Sequence, residues 1–257
     1  MKPSEHAREF TVSSYELNPR GEARLTTVAN YFQEIAYHHA NELGFGYDDM
    51  RERRNMWLLS RMRIRMDRYP VWNDRIVLET WPSGVDKLFA VRDFRVRSME
   101  GEKLGVASSY WLIVDVETHR PIRPKEELER YADIVYGEPV FDHPLSKLGV
   151  PDGMQEADRH RVAFSDLDIV GHVNNVKYME WCINTAMKGG KPDREIRQFE
   201  INFLQEALFG DHILIHSGTG CGGNGAGKEH GDAKWLCLSA AREEDGQEVC
   251  RAALEWG

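Results

Sequence analysis

The sequence predicts an α+β protein made of two copies of one unit, each a long helix wrapped by an antiparallel β-sheet. Three observations carry this reading. The apolar period changes from two to 3.6 and back, and it does so twice within 257 residues. The strands that follow each helix are joined by short turns, which gives hairpins and not βαβ units. The apolar positions of the second half also repeat those of the first at fixed spacings.

In order, residues 8–15 read as a strand, and Asn18, Pro19 and Gly21 as a turn. From Thr26 the period is helical. Val28, Tyr31, Phe32, Ile35, His39 and Leu43 share a face, and Gly44 and Gly46 end the helix. His38 and His39 are adjacent, so they cannot share that face; packing or surface is expected of them. Residues 48–55 form a charged loop. Met62, Ile64 and Met66 then alternate with arginines, a strand with one buried face. Arg61, Arg63 and Arg65 read as a solvated edge, as do Arg51, Arg53 and Arg54. Ile76, Leu78 and Thr80 alternate next, until Trp81-Pro82-Ser83-Gly84 breaks the run. Residues 88–97 and 104–116 are two further strands around a turn at Met99-Glu100-Gly101-Glu102.

A proline-punctuated stretch follows (Pro121, Pro124, Pro139, Pro144, Pro151) around one short helix at 125–131. The domain organisation is therefore residues 1–135, a linker at 136–155, and residues 156–257. The order of elements then recurs. It comprises a strand at 161–164, a helix at 174–187 stopped by Gly189-Gly190, strands at 197–203 and 212–217, a Gly-rich loop, and strands at 234–242 and 248–256.

The repeat has a register. Arg24-Leu25-Thr26 matches His172-Val173-Asn174 at an offset of 148, open to a slip of a residue or two. Ile64, Met66, Ile76 and Leu78 match Ile201, Phe203, Ile213 and Ile215 at an offset of 137. Gly101, Leu104, Ala107 and Trp111 match Gly246, Val249, Ala252 and Trp256 at 145. A slip of one in a strand would turn every apolar residue outward, so the strand registers are firm. A sheet curled around one long helix is the hotdog arrangement. Two copies in one chain mimic the dimer that single-copy hotdogs form.

Composition narrows the partners. The net charge of −9 and pI near 5.6 argue against nucleic acid as an electrostatic partner. No apolar run is long enough to span a bilayer. The N-terminus passes from charge into a strand without a secretion or transit pattern, which reads as cytoplasmic. Cys182, Cys221, Cys237 and Cys250 lack zinc or disulfide-framework spacing and read as buried free thiols. No metal and no cofactor is expected.

Chemistry concentrates in the second copy. Asp168 lies four residues before His172, both at a helix entrance where free N–H groups and the helix dipole gather. Such a place suits a developing oxyanion. Glu206 follows the strand at 200–204, and strict alternation would aim it away from the Phe203 face unless a bulge intervenes. At the offsets above, the first copy has Arg20, Arg24 and Tyr69 in place of Asp168, His172 and Glu206. Asp168 as a turn residue and Asn174 as a helix N-cap are the structural alternatives.

Ser165-Asp-Leu-Asp-Ile-Val-Gly-His-Val-Asn-Asn-Val-Lys-Tyr178 closely resembles the active-site motif of acyl-acyl-carrier-protein (acyl-ACP) thioesterases. Phe199-Glu-Ile-Asn-Phe-Leu-Gln-Glu-Ala-Leu-Phe-Gly-Asp211 resembles the next segment of that family. Leu43-Gly-Phe-Gly46, Trp57-Leu-Leu-Ser-Arg61 and Ile76-Val-Leu-Glu-Thr-Trp81 look like its N-terminal hotdog. The resemblance implies a tandem hotdog hydrolysing fatty acyl-ACP to free fatty acid and ACP. A carboxylate, Glu206 or Asp168, would act as base on water with His172 assisting, and direct attack by Asp168 to form an anhydride is the other route the residues allow. Asp168, His172 and Glu206 fall on the family's catalytic positions, with Gly171, Asn174 and Asn175 as oxyanion or supporting groups. One departure is Val170, where the plant enzymes have asparagine; either Asn174 or a water replaces it, or that arrangement does not apply in full. The first copy, lacking the acid/base set, would hold the acyl chain, lined by Phe32, Ile35, Met62, Ile64 and Met66. The implied partner is acyl carrier protein; the sequence leaves a homodimer open. The rivals are an acyl-CoA thioesterase of the same chemistry and a non-catalytic acyl-binding protein.

Two further patterns are discounted. Gly222 to Lys228 matches G-x-x-x-x-G-K, but Glu229 follows and the flanks are strands, so a hairpin loop is expected and not a P-loop. His172 and Cys182 lie ten residues apart, roughly 15 Å along a helix, too far to form a catalytic pair.

Overall fold

The computed structural model describes residues 6–118, 120, 125–150, 152–188, 194–219 and 235–257. The chain divides into two compact units, Met1–Asp142 and His143–Gly257.

The N-terminal unit runs β1 (His6–Thr11), a 3-10 turn (Ser14–Glu16), α1 (Leu25–Glu42), α2 (Tyr47–Glu52), β2 (Asn55–Met66), β3 (Arg75–Asp86), β4 (Phe89–Ser98), β5 (Lys103–Asp115) and α3 (Lys125–Ala132). Its strands lie in the order β1-β3-β4-β5-β2, every neighbour antiparallel. The C-terminal unit runs β6 (Asp152–Arg161), a 3-10 turn (Phe164–Asp166), α4 (Asn175–Met187), β7 (Ile196–Phe203), β8 (His212–Thr219), β9 (Trp235–Arg242) and β10 (Glu248–Trp256). Its order, β6-β8-β9-β10-β7, is the same topology. In each unit the long helix packs on its own sheet, and the tandem α+β expectation holds.

The strand offsets hold down to single hydrogen bonds. The Asp67 and Arg68 N–H groups both donate to the Leu104 carbonyl, at 2.8 and 3.1 Å. The Leu204 and Gln205 N–H groups do the same to Val249, at 2.9 and 3.3 Å. Both pairs keep the offsets of 137 and 145.

Several local expectations change. β3 does not stop at Trp81 but runs to Asp86, because a register shift between Pro82 and Gly84 absorbs the proline that cannot donate to the ladder. The loop after Gly46 contains α2, started by the Asp49 carboxylate accepting the Gly46 N–H at 2.9 Å. β6 ends at Arg161, and residues 162–164 lead into a 3-10 turn instead of extending a strand. The arginines of β2 are not a solvated edge. Arg63 is buried, Arg63 and Arg65 both lie over the Phe141 ring (5.0 and 5.5 Å), and Arg61 lies over Phe89 (4.8 Å). The face opposite Ile64 is therefore covered as well.

Phe32, Ile35, Met62, Ile64 and Met66, the expected chain-lining residues, are all buried in the N-terminal unit. Phe32 packs on Phe94 with ring centroids 4.8 Å apart. His39 is buried too, its Nδ1 2.9 Å from Arg92 Nη1, which also donates to Thr80 Oγ1 at 3.2 Å. Met66 fits because Gly105, its partner on β5, has no side chain. A Cβ there would lie 2.5 Å from Met66 Sδ and 2.8 Å from the Arg65 carbonyl. Gly105→Ala is therefore expected to destabilise the protein by about 1–3 kcal/mol, read as a lower urea midpoint.

Cys182 and Cys250 are free and buried as expected, but Cys237 is disulfide-bonded, so the free-thiol reading fails there. Among the described residues no helix is long and apolar enough to cross a membrane, and no His/Cys/Asp/Glu cluster could hold a metal ion. Pro121, Pro124, Pro151, Gly189-Gly190, Cys221, Lys234, the N-terminal five residues and the Gly222-to-Lys228 loop lie outside the described residues.

Candidate active site

After β6, the chain makes its 3-10 turn and then a tight hairpin before α4. Leu167 bridges Val173, and the Asp168 N–H donates to the His172 carbonyl at 2.8 Å. The tip closes when the Gly171 N–H donates to the Asp168 carbonyl at 3.1 Å. Gly171 has φ +85°, a left-handed conformation that glycine adopts without steric cost. The Asp168 carboxylate turns back on its own loop. Its Oδ1 accepts the Val170 N–H at 2.9 Å and the His172 N–H at 3.2 Å. Oδ2 makes no hydrogen bond among the described residues.

Asn174 then caps α4. Its backbone is extended and its Oδ1 accepts the Val176 N–H at 2.9 Å. In the first turn of the helix, the Asn175 N–H has no acceptor among the described residues. The expected oxyanion donor, the Gly171 N–H, is instead engaged within the hairpin; the unspent donor at this helix start is that of Asn175.

Glu206 reaches this place by two backbone devices. The shared acceptor Val249 forms a bulge-like step after Phe203, which breaks the alternation that would have aimed Glu206 elsewhere. Ala207 is then fixed from both sides. Its carbonyl accepts the Val173 N–H at 3.3 Å, and its N–H donates to the Tyr178 hydroxyl at 2.8 Å. Tyr178 is buried on α4, and burial pushes its phenol pKa up, so the hydroxyl stays protonated. Residues 172–173 and 206–207 are thus held together, and His172 Nε2 comes within 3.7 Å of Glu206 Oε2. Both side chains are partly exposed, at 25% and 34%, so solvent can enter between them. Arg242 donates to the Glu206 carbonyl at 3.2 Å while pairing with Asp245.

The N-terminal unit repeats the hairpin bond for bond, which corrects the helix-entry offset from 148 to 150. Asn18 N–H donates to the Glu22 carbonyl (2.7 Å), and Gly21 N–H donates to the Asn18 carbonyl (3.0 Å). Asn18 Oδ1 accepts from Arg20 and Glu22 N–H (2.8 and 3.2 Å). Asn18 and Glu22, not Arg20 and Arg24, therefore stand where the second copy has Asp168 and His172. Tyr69 still matches Glu206, since the Ala23 N–H donates to Pro70 as Val173 does to Ala207. Val170 corresponds to Arg20, which forms an ion pair with Glu22 at 2.7 Å. A valine here leaves the second hairpin without that internal cation. The lopsidedness stands, but its content is Asn18, Glu22 and Tyr69 against Asp168, His172 and Glu206.

Residues 3–131 match the acyl-ACP thioesterase N-terminal domain, and residues 151–257 the acyl-ACP thioesterase C-terminal domain. The chain belongs to the acyl-ACP thioesterase family. Similar members include the chloroplastic palmitoyl-acyl carrier protein thioesterase of Arabidopsis thaliana, 32% identical over 97% of this chain and 63% of that protein. The chloroplastic dodecanoyl-[acyl-carrier-protein] hydrolase of Cinnamomum camphora is 28% identical over 97% of this chain. The chain spans just under two thirds of the length of these curated relatives, 63% and 66%. Among solved structures, the 12:0-ACP thioesterase of Umbellularia californica superposes with a TM-score of 0.80 at 26% identity, covering 98% of this chain and 97% of that one. An acyl-ACP thioesterase of Bacteroides thetaiotaomicron superposes at 0.84 and 24% identity, covering 98% of each chain; it shares the tandem hotdog fold.

Asp166, which nothing in the motif singles out, is buried just before this hairpin. Its Oδ2 accepts the Ala163 N–H at 2.8 Å and contacts His160 Nε2 at 2.9 Å, and its carbonyl accepts the Asn174 N–H at 2.9 Å. The available signal was the three-residue spacing from Ala163, the register of a capping box with no Ser or Thr to flag it.

Proposed function

We propose that the chain hydrolyses the thioester of a fatty acyl group carried by acyl carrier protein, releasing the free fatty acid and ACP. The observation that carries this is the His172–Glu206 contact beside an Asp168 hairpin at the start of α4, in a chain of this family. Asp168 Oδ1 is held by two N–H groups, which leaves Oδ2 to take the proton of water as general base. The water oxygen adds to the thioester carbonyl, and the Asn175 N–H with the α4 dipole stabilises the oxyanion. As the tetrahedral adduct collapses, the C–S bond breaks and His172 gives a proton to the leaving thiolate. Glu206 stabilises the imidazolium that acts in this step. Asp168 then returns its proton to solvent and His172 takes one up, which restores both groups for the next turnover.

The acyl chain is assigned to the layer between α1 and its sheet. Met62 and Met66, unbranched and soft, are the lining residues best able to move aside for it. The names of the relatives give different chain lengths, palmitoyl and dodecanoyl, so length is left to measurement.

The test is the rate of thiol release from matched acyl-ACP and acyl-CoA substrates. Faster turnover of acyl-ACP is expected. A clear preference for CoA would move the chain to the rival activity, and no release from either would make it an acyl-binding protein.

A further inference from the structure

Asp166 has a counterpart in the N-terminal unit, and the two are held differently. At the offset of 150, Glu16 matches Asp166, Phe10 matches His160 and Tyr31 matches Trp181. The backbone roles are the same. Glu16 Oε2 accepts the Ser13 N–H at 2.7 Å, as Asp166 Oδ2 accepts that of Ala163 at 2.8 Å. The Glu16 carbonyl accepts the Arg24 N–H at 3.0 Å, as that of Asp166 accepts Asn174 at 2.9 Å. The ring pairs also correspond: Phe10 and Tyr31 stack with centroids 4.5 Å apart, and His160 and Trp181 lie at the same 4.5 Å, tilted by 33°.

The side-chain donor is what differs. Glu16 is satisfied by the Tyr31 hydroxyl at 2.6 Å, and burial keeps that phenol protonated. Trp181 has no hydroxyl. Asp166 is met instead by the His160 imidazole from β6 at 2.9 Å, and by Lys177 Nζ from α4 at 3.8 Å, itself shared with Glu180. The imidazole replaces the phenol in the unit whose hairpin carries Asp168 and His172.

We infer that His160 and Asp166 are a positioning pair for the catalytic hairpin; this rests on the thioesterase reading above. Asp166 fixes both ends of the segment. Its carboxylate ties down Ala163, where the 3-10 turn begins, and its carbonyl ties down Asn174, the cap of α4. The hairpin from Leu167 to Val173 is strung between these two points, so the places of Asp168 Oδ2, His172 and the Asn175 N–H follow from them. An unsupported buried carboxylate would shift, and reacting groups displaced by a fraction of an ångström lose rate with little loss of binding.

The experiment compares His160→Phe with His160→Gln. Phenylalanine keeps the ring against Trp181, as Phe10 does against Tyr31, but removes the donor. Glutamine places an amide N–H close to where imidazole Nε2 stood. On acyl-ACP, His160→Phe is expected to lower kcat about tenfold with KM within about twofold, and His160→Gln to recover to within about threefold of wild type. Hydrogen exchange at the Ala163 and Asn174 amides is expected to quicken about tenfold in the Phe variant alone. Unchanged kcat and exchange in His160→Phe, or a Gln variant as impaired as Phe, overturns the pair. A wild type without thioesterase activity refutes the earlier reading instead, and the exchange result still decides whether the pair holds the hairpin. If His160→Phe does not fold, the triple variant H160F/D166E/W181Y rebuilds the N-terminal unit's own set. Wild-type exchange at those amides is then expected, and fast exchange overturns the pair.

Discussion

Asp168→Asn is expected to fold and melt like the wild type and to hydrolyse acyl-ACP at least about a hundredfold more slowly. The N-terminal unit already contains the control. Asn18 occupies the equivalent position and makes the same two bonds from its side-chain oxygen, to the N–H groups of Arg20 and Glu22. An asparagine at 168 can therefore hold the Val170 and His172 N–H groups while offering water no base. Asp168→Ala loses both functions, and its hairpin is expected to weaken by about 1 kcal/mol in addition. Turnover numbers and urea midpoints for the pair separate the two roles. An Asn variant within threefold of wild-type kcat would reduce Asp168 to a turn residue.

Glu206→Gln is expected to lower kcat about 10- to 100-fold, and His172→Ala about 100-fold or more. The two should not add. Glu206 is assigned no contact with the thioester; it acts on the imidazole 3.7 Å away. Once His172 is gone, losing the carboxylate should cost no more than about threefold further. A double variant slowed by the full product of the two single effects would show that Glu206 acts independently, as a base on water in its own right.

Much of this was legible in the sequence because strands announce themselves twice, by period and by repeat. Ile64 and Met66 matched Ile201 and Phe203 in a register that a slip of one would have ruined, and the hydrogen bonds to Leu104 and Val249 keep it. The helix entrances were read two residues out, because a loop has no period to fix its register. The match of Arg24 to His172 looked reasonable on residue types alone, whereas the wiring of Asn18 and Asp168 is visible only in the backbone. The reach of Glu206 was hidden for a similar reason. Two successive N–H groups sharing one carbonyl end the strict alternation just before Glu206, and no side chain marks that step. Trp81-Pro82 misled in the opposite sense: a proline signals a break, yet a shifted register let β3 continue. The arginines of β2 were misread because their cover, Phe141, lies far away in sequence.

The two hairpins have one further consequence, for mutational tolerance. Asn18-Pro-Arg-Gly-Glu22 and Asp168-Ile-Val-Gly-His172 share a shape while sharing only the glycine. Gly21 and Gly171 both hold positive φ, and the first residue of each supplies the oxygen that gathers two N–H groups. Two of the five positions therefore write the geometry. The remaining three can vary without rewriting it, which makes this tip a place where charge, apolarity or an imidazole can be exchanged at small structural cost.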